Sequence, residues 1–261
     1  FCLSRGLGDV YKRQVHFYQN ALYGRWAGTQ IDERKLQLRV ELIRFLLGHQ
    51  ERNGALSELL ILETDLPQSS APHVETARLF LQAGDTQDAL KNYNDAIDLD
   101  KDNVDALTEA GETVFRQGDY SQAEKYLKDA LELNPKIEKT RQLLTITQLA
   151  LSEDPLDPHL SREERRECLL RDLDQARQRL QGCLGQTLDS QQISRLNALN
   201  GQALALGSEL DSPRAPDSEL TRSGVELIYT IEKATSTAGP KPDELDQALL
   251  LIGQKYSGAQ Q

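Results

Sequence analysis

The sequence repeats one pattern at a fixed interval of 34 residues. The segment from Phe80 to Ala89 aligns without a gap with the segment from Val114 to Ala123. The residues that recur at this interval are glycines, alanines and leucines: Gly84 and Gly118, Ala89 and Ala123, Ala96 and Ala130, Leu99 and Leu133. A period of this length is typical of supersecondary units that stack on one another, since one such unit cannot bury its apolar face alone.

Each unit has the pattern of an amphipathic helix, a Gly-Asp turn and a second amphipathic helix. The glycines favour the positive φ that ends a helix, and Asp85 and Asp119 favour the N-cap of the helix that follows. Small side chains at the other recurring positions allow neighbouring helices to approach closely. The residues predicted to pack the repeats are Ala55, Ala77, Gly84, Ala89, Ala96, Gly111, Gly118, Ala123 and Ala130.

This pattern resembles the tetratricopeptide repeat, a helix–turn–helix unit of about 34 residues. Repeats at 70–103 and 104–137 carry it most fully, although Lys101 stands where the family usually has proline. A diverged repeat at 36–69 keeps the register, because Ala55 lies 34 residues before its counterpart. The resemblance implies an all-α fold, in which antiparallel helix pairs form a right-handed solenoid followed by a helical C-terminal extension.

Residues 1–14 do not follow the pattern. The run from Gly6 to Gln14 resembles translated sequencing-adapter sequence of the kind that contaminates assembled environmental reads. We interpret 1–14 as such an artefact or as a disordered arm, followed by a partial repeat at 15–32. In this interpretation the natural N-terminus is missing, which leaves open a signal, an anchor or further repeats upstream.

The period ends after a predicted capping helix at 138–152. The segment from Asp154 to Pro158 contains two prolines and is expected to stop that helix. Residues 159–261 are predicted to form a helical extension, which opens with a capping box between Ser161 and Glu164. The sequence leaves open whether this extension continues the array or forms a separate bundle.

The composition favours a soluble, acidic protein and argues against several classes of function. A net charge of −11 and a pI near 4.9 argue against nucleic-acid binding, which usually needs a basic face. No window approaches the roughly 18 apolar residues of a membrane span. The histidines lack metal-ligand spacing, and Cys168 and Cys183 are interpreted as small buried apolar residues. We therefore predict no metal, no cofactor and no catalytic residue.

The first helices of stacked repeats line a concave surface, on which residues at equal positions form rows. Four rows are the candidates for a peptide groove: Val40, Val74 and Thr108; Glu41, Glu75 and Glu109; Arg44, Arg78 and Glu112; Leu47, Leu81 and Phe115. An apolar strip flanked by charge suits an extended or helical peptide, whose acidic groups Arg44 and Arg78 would pair. The alternative is that Glu and Arg three residues apart form ordinary surface pairs.

The resemblance implies a non-catalytic scaffold that binds a protein or peptide partner. The Lys/Asn arrangement with which some family members hold a C-terminal carboxylate does not occur at these positions, which disfavours chaperone tails as partners. Two alternatives place the defining part upstream: a substrate-positioning region of a larger enzyme, or a membrane-tethered protein of cell-envelope assembly. The compartment is not fixed by the sequence, with the cytoplasm as the default and an anchor in a preceding segment as the alternative.

Overall fold

The computed structural model describes residues 2–27, 30–186, 188–211 and 218–257, and the side chains from Val10 onward in these ranges. Helices account for most of these residues and no strand occurs among them, which confirms the predicted all-α class. The helices are α1 Cys2–Tyr23, α2 Ile31–Gly48, α3 Arg52–Thr64, α4 Ser70–Ala83, α5 Thr86–Leu99, α6 Val104–Arg116, α7 Tyr120–Leu133, α8 Glu138–Ser152, α9 Arg162–Leu184, α10 Ser190–Leu210, α11 Ser218–Ala238 and α12 Glu244–Ser257.

The N-terminal segment is helical rather than an irregular arm, since α1 begins at Cys2. An aromatic contact joins this helix to α2, where the ring of Tyr11 stacks on Phe45 at 5.6 Å between centroids. The same Tyr11 ring lies 5.2 Å from the ring of His49. The sequence does not indicate these contacts, because the 34-residue period does not extend into α1.

The two Gly-Asp turns have the same backbone geometry. Gly84 has φ of 87° and Gly118 has φ of 82°, in the left-handed region where a side chain is strained. After each glycine the aspartate caps the next helix: Asp85 Oδ1 accepts from an amide of α5 at 3.0 Å, and Asp119 Oδ1 from an amide of α7 at 3.0 Å. These turns reverse the chain and so set the antiparallel helix pair.

Two compact units divide the chain, Phe1–Thr113 and Val114–Gln261. In the first unit α4 and α5 form the closest pair, and α3 packs on α2 and α4. Small side chains lie at the helix crossings with no solvent exposure: Ala55, Ala77, Ala89 and Ala96. Phe80 and Tyr93 are also fully buried and fill the space between the alanines.

The second unit combines α7 and α8 with the helices of the C-terminal extension. Ala123 and Ala130 of α7 have no solvent exposure. One apolar core includes Ile146 of α8 together with residues of α9, α10, α11 and α12. The unit boundary therefore lies inside α6 and not at the end of the predicted repeats, because α7 and α8 share their core with the extension.

The extension begins as the capping box predicts. Ser161 Oγ accepts from the Glu164 amide at 3.2 Å, and the Glu164 carboxylate accepts from the Ser161 amide at 2.8 Å. Its last helix, α12, returns to α8. There Lys255 and the Tyr256 hydroxyl donate to Asp154 Oδ2 at 3.0 and 2.7 Å. Among the described helices, none has both the length and the apolar character that a membrane crossing needs.

Candidate functional site

The predicted groove residues of the first unit lie on α2, α4 and α6, the first helices of their repeats. Val74 is buried and Arg44, Arg78 and Glu41 are exposed. The remaining positions are half-buried: Val40, Leu47, Glu75, Leu81, Thr108, Glu109 and Glu112. Gly111, which was assigned to repeat packing, is buried on α6.

Phe115, the last member of the predicted apolar row, belongs to the second unit. It is half-buried, and its ring lies 5.5 Å from the ring of Tyr120. This contact packs Phe115 against its own unit, and the candidate site consists of residues of the first unit.

Two arginines of the predicted groove pair with glutamates on the neighbouring first helix. Arg44 Nη2 lies 2.5 Å from Glu75 Oε1, which joins α2 to α4. Arg78 binds Glu109 with two nitrogens, Nη2 at 2.5 Å and Nε at 2.8 Å, which joins α4 to α6. The Tyr93 hydroxyl donates to the same Glu109 carboxylate at 2.9 Å.

These ion pairs occupy the cations that the sequence reading assigned to a partner's acidic groups. The hydrogen bond to Glu109 raises the pKa of the Arg78 guanidinium. The positive charge of Arg78 is thus paired with a carboxylate of the same chain. The signal for this pairing is present in the sequence, because Arg44 and Glu75 have the same offset of 31 residues as Arg78 and Glu109. The surface pairs expected from the sequence lie three residues apart on one helix and do not include this offset.

A pocket of about 690 Å³ lies between α2, the end of α3 and the start of α4. Four groove candidates line it, namely Val40, Glu41, Arg44 and Glu75. Its apolar lining consists of Leu36, Val40, Leu62, Leu66, Pro67 and Pro72. The connection between α3 and α4 contributes Leu66 and Pro67 to this lining. A comparison of equal positions on the first helices does not include these residues.

The charge around this pocket is acidic. Its lining includes five carboxylates and one guanidinium, and the guanidinium is paired with Glu75. In the chain as described, the other four carboxylates have no ion-pair partner: Asp32, Glu33, Glu41 and Asp65.

The carboxylates of the pocket differ in whether the dipole of their own helix stabilises or destabilises their charge. Asp32 and Glu33 lie in the first turn of α2, where the helix dipole favours a negative charge. Asp65 is the C-cap of α3, where the dipole disfavours one. Local helix stability therefore explains the first two acids and does not explain Asp65.

The second unit contains a buried charge cluster between α9, α11 and α12. The guanidinium of Arg179 lies 3.2 Å from Glu232, contacts Asp246, and donates to the Thr235 hydroxyl at 2.9 Å. Burial, reinforced by the negative charge of Asp246 and opposed by Arg179, raises the pKa of Glu232 to about 8. Its side chain has no solvent exposure. The cluster connects three helices of one core.

Another cluster forms where α8 ends beside α9. The Cys168 thiol lies 3.6 Å from Asp172 Oδ2 and 4.0 Å from Glu153 Oε2. Burial, with the nearby Glu153 charge, raises the pKa of Asp172 to about 8, and burial also raises the pKa of Cys168. The sequence predicts Cys168 as a small apolar residue, because no second cysteine or histidine lies near it in the chain.

Comparison with known proteins identifies the repeats. The tetratricopeptide-repeat family profile matches residues 80–145, from the last turn of α4 into α8. The chain contains tetratricopeptide repeats. The diverged repeat predicted at 36–69 lies outside the matched segment and stays a prediction.

A solved structure, the crystal structure of MamA, is also similar to this tetratricopeptide-repeat chain. The two are 16% identical, with a TM-score of 0.41, and the match covers 55% of this chain and 79% of MamA. No curated protein matches the chain. Tetratricopeptide repeats bind proteins or peptides and generally serve as non-catalytic interaction scaffolds, which supports the general class of function expected from the sequence.

Proposed function

We propose that this chain is a non-catalytic interaction module that binds a peptide segment of a partner protein across α2 and α4. The observation that carries the proposal is the pocket between these helices, with an apolar lining of Leu36, Val40, Leu62, Leu66, Pro67 and Pro72. A cavity of about 690 Å³ lies in the range of ligand sites, and its apolar lining offers a place for one or two side chains of a peptide.

The charge of the lining defines the chemistry of the peptide. Because Arg44 is paired with Glu75, the pocket presents the four carboxylates that have no ion-pair partner in the described chain. A peptide with an apolar anchor flanked by lysine or arginine would neutralise them, whereas an acidic peptide would be repelled. This preference for a basic peptide is opposite to the sequence-based expectation, in which Arg44 and Arg78 pair with acidic groups of the peptide.

Asp65 gives an independent reason for a functional role of this charge. An aspartate at a helix C-cap opposes the helix dipole and so costs stability, typically by a few tenths of a kcal/mol. The residue stands at the pocket in the connection between α3 and α4. A cationic partner would turn this unfavourable charge into a favourable contact.

Fluorescence anisotropy with designed peptides tests the proposal. The probes are two labelled heptapeptides that share a central leucine, one flanked by lysines and the other by glutamates. We expect saturable binding of the lysine peptide only, weakened by salt because the attraction is between exposed charges. Equal binding of the two peptides would contradict the assigned charge preference.

Variants of the pocket locate the binding. The double variant Glu41→Lys/Asp65→Lys should weaken binding of the lysine peptide by on the order of tenfold, since two attractive charges become repulsive. Asp102→Lys is the matched control, because Asp102 is exposed and does not line the pocket. Leu36→Asn should weaken both the lysine peptide and any residual binding of its glutamate counterpart, because it removes part of the apolar lining. Loss of binding in the Asp102 control would place the site elsewhere.

A further inference from the structure

Three side chains outside the repeats' groove and pocket meet where α8 ends beside α9. Glu153 is the C-cap residue of α8, and Cys168 and Asp172 are one turn apart on α9. One ligand atom from each lies within 4.8 Å of the other two. All three residues belong to the second compact unit.

The carboxyl group of Asp172 lacks a partner outside this cluster. Asp172 is 1% exposed, and its Oδ1 is buried without a hydrogen bond. Its Oδ2 contacts only the weakly donating thiol of Cys168, which is itself 3% exposed. Burying a carboxyl group without hydrogen-bond partners destabilises a fold, whether or not the group is protonated. Among the described residues, Asp172 therefore has an unsatisfied ligand oxygen in a buried position.

We propose that Glu153, Cys168 and Asp172 bind a divalent, thiophilic metal ion of the zinc class. Carboxylate and thiolate are both zinc ligands, with bond lengths of about 2.0–2.2 Å to oxygen and 2.3 Å to sulfur. A tetrahedral ion then needs ligand atoms about 3.3–3.8 Å apart. The sulfur-to-oxygen distances of 3.6 and 4.0 Å meet this requirement with small side-chain movements. The thiol, and any ligand carboxyl group that carries a proton, releases that proton to solvent as the metal–ligand bond forms.

Access to the site is through Glu153. Its side chain is 16% exposed, so an ion reaches the buried thiol from this side and a water molecule completes the fourth position. The competing cation is Arg171, whose Nη2 lies 2.5 Å from Glu153 Oε2. The Arg171 side chain is 58% exposed and can turn into solvent when the ion binds.

The metal would cross-link the end of α8 to two successive turns of α9, those of Cys168 and Asp172. These two helices are joined by residues 153–161, a connection with two prolines and no helix of its own. The site is thus structural, and its occupancy is expected to raise the stability of the second unit through the usual linkage between binding and folding.

Titration of the full, metal-free chain with Cd²⁺ and Zn²⁺ tests the proposal. Cd²⁺ should produce an ultraviolet sulfur-to-metal charge-transfer band that saturates at one ion per chain, and Zn²⁺ should raise the melting temperature. Cys168→Ser should remove the band and weaken Zn²⁺ binding at least about tenfold. Cys183→Ser and Cys2→Ser are matched controls, because each removes one thiol and leaves the cluster intact.

Two further variants separate a metal ligand from a residue that only packs. Asp172→Asn should fold at least as stably as the parent without metal, since it removes a buried carboxyl group, yet lose the Zn²⁺-dependent rise in melting temperature. Arg171→Gln, an exposed change, should bind Zn²⁺ more tightly because the competing cation is gone. The proposal is wrong if Cd²⁺ gives no band, or if Cys168→Ser retains the parent's Zn²⁺ response.

Discussion

The buried carboxyl group of Glu232 should make the stability of the second unit depend on pH. In the folded chain its pKa is raised to about 8 by burial, from an ordinary value of 4.5. Between these two values the folded state keeps a proton on Glu232 that the unfolded state has released. Stability therefore falls as pH rises from about 4.5 to about 8, and is constant on either side as far as this group is concerned.

The magnitude follows from the size of the shift. Each pH unit in this window costs up to about 1.4 kcal/mol of unfolding free energy for one group, so the upper limit over the window is about 5 kcal/mol. Relaxation around Arg179 and Asp246 when Glu232 ionises will reduce this, and we expect a few kcal/mol. Asp243 also faces the group and acts in the same direction as Asp246.

Glu232→Gln isolates this effect. Glutamine keeps the shape of the protonated carboxyl group, so the variant should match the parent near pH 4 and become the more stable protein as pH rises. Urea unfolding followed by circular dichroism at several pH values, with EDTA present, gives the difference between the two free energies. Asp172, whose pKa is raised in the same direction, remains in both proteins and cancels in that difference.

Glu226→Gln is the control for this experiment, since Glu226 is exposed on the same helix. It should leave the pH dependence of the parent unchanged. If the parent and Glu232→Gln lose stability in parallel from pH 5 to pH 8, the carboxyl group of Glu232 is ionised in the folded chain and the reasoning above is refuted.

The packing, turn and ion-pair contributions of the repeats can be tested by thermal melting. Ala77→Leu should cost about 1–3 kcal/mol, because the alanine is fully buried where α4 and α5 pack, and an unchanged melt would contradict close packing there. Gly84→Ala should cost about 1 kcal/mol because of its positive φ, whereas Gly48→Ala, in a helix with no atom within 4 Å of the added carbon, should be neutral or stabilising. Asp85→Ala should cost about 1 kcal/mol through loss of the N-cap. Arg78→Gln should cost less than about 1 kcal/mol, because its ion pair is half exposed, and a larger loss would give the pair a greater role in joining repeats.

The fold was largely predictable from the repeat period. Small residues at equal intervals and the Gly-Asp turns specify local geometry, so Gly84 and Asp85 could be assigned from sequence alone. The helix over residues 2–14 was not predicted, because its anchoring ring contact, Tyr11 on Phe45, lies outside the period.

The candidate site was predictable only in part. The rows on the first helices placed Val40 and Glu41 at the surface that lines the pocket. The connection that supplies Asp65 and Pro67 has a conformation that no helical pattern specifies. Because Arg44 pairs with Glu75, the pocket presents a negative charge and not the positive charge expected from the sequence. This ion pair joins unequal positions of neighbouring first helices, so the comparison of equal positions does not indicate it.

The contact of α12 with α8 determines where an array of this kind can lengthen. Repeat proteins grow when a duplicated helix pair docks onto an open end. Here α12 packs on one face of α8, and Lys255 and Tyr256 of α12 donate hydrogen bonds to the Asp154 carboxylate. A further helix pair that docked on this face of α8 would therefore have to displace α12.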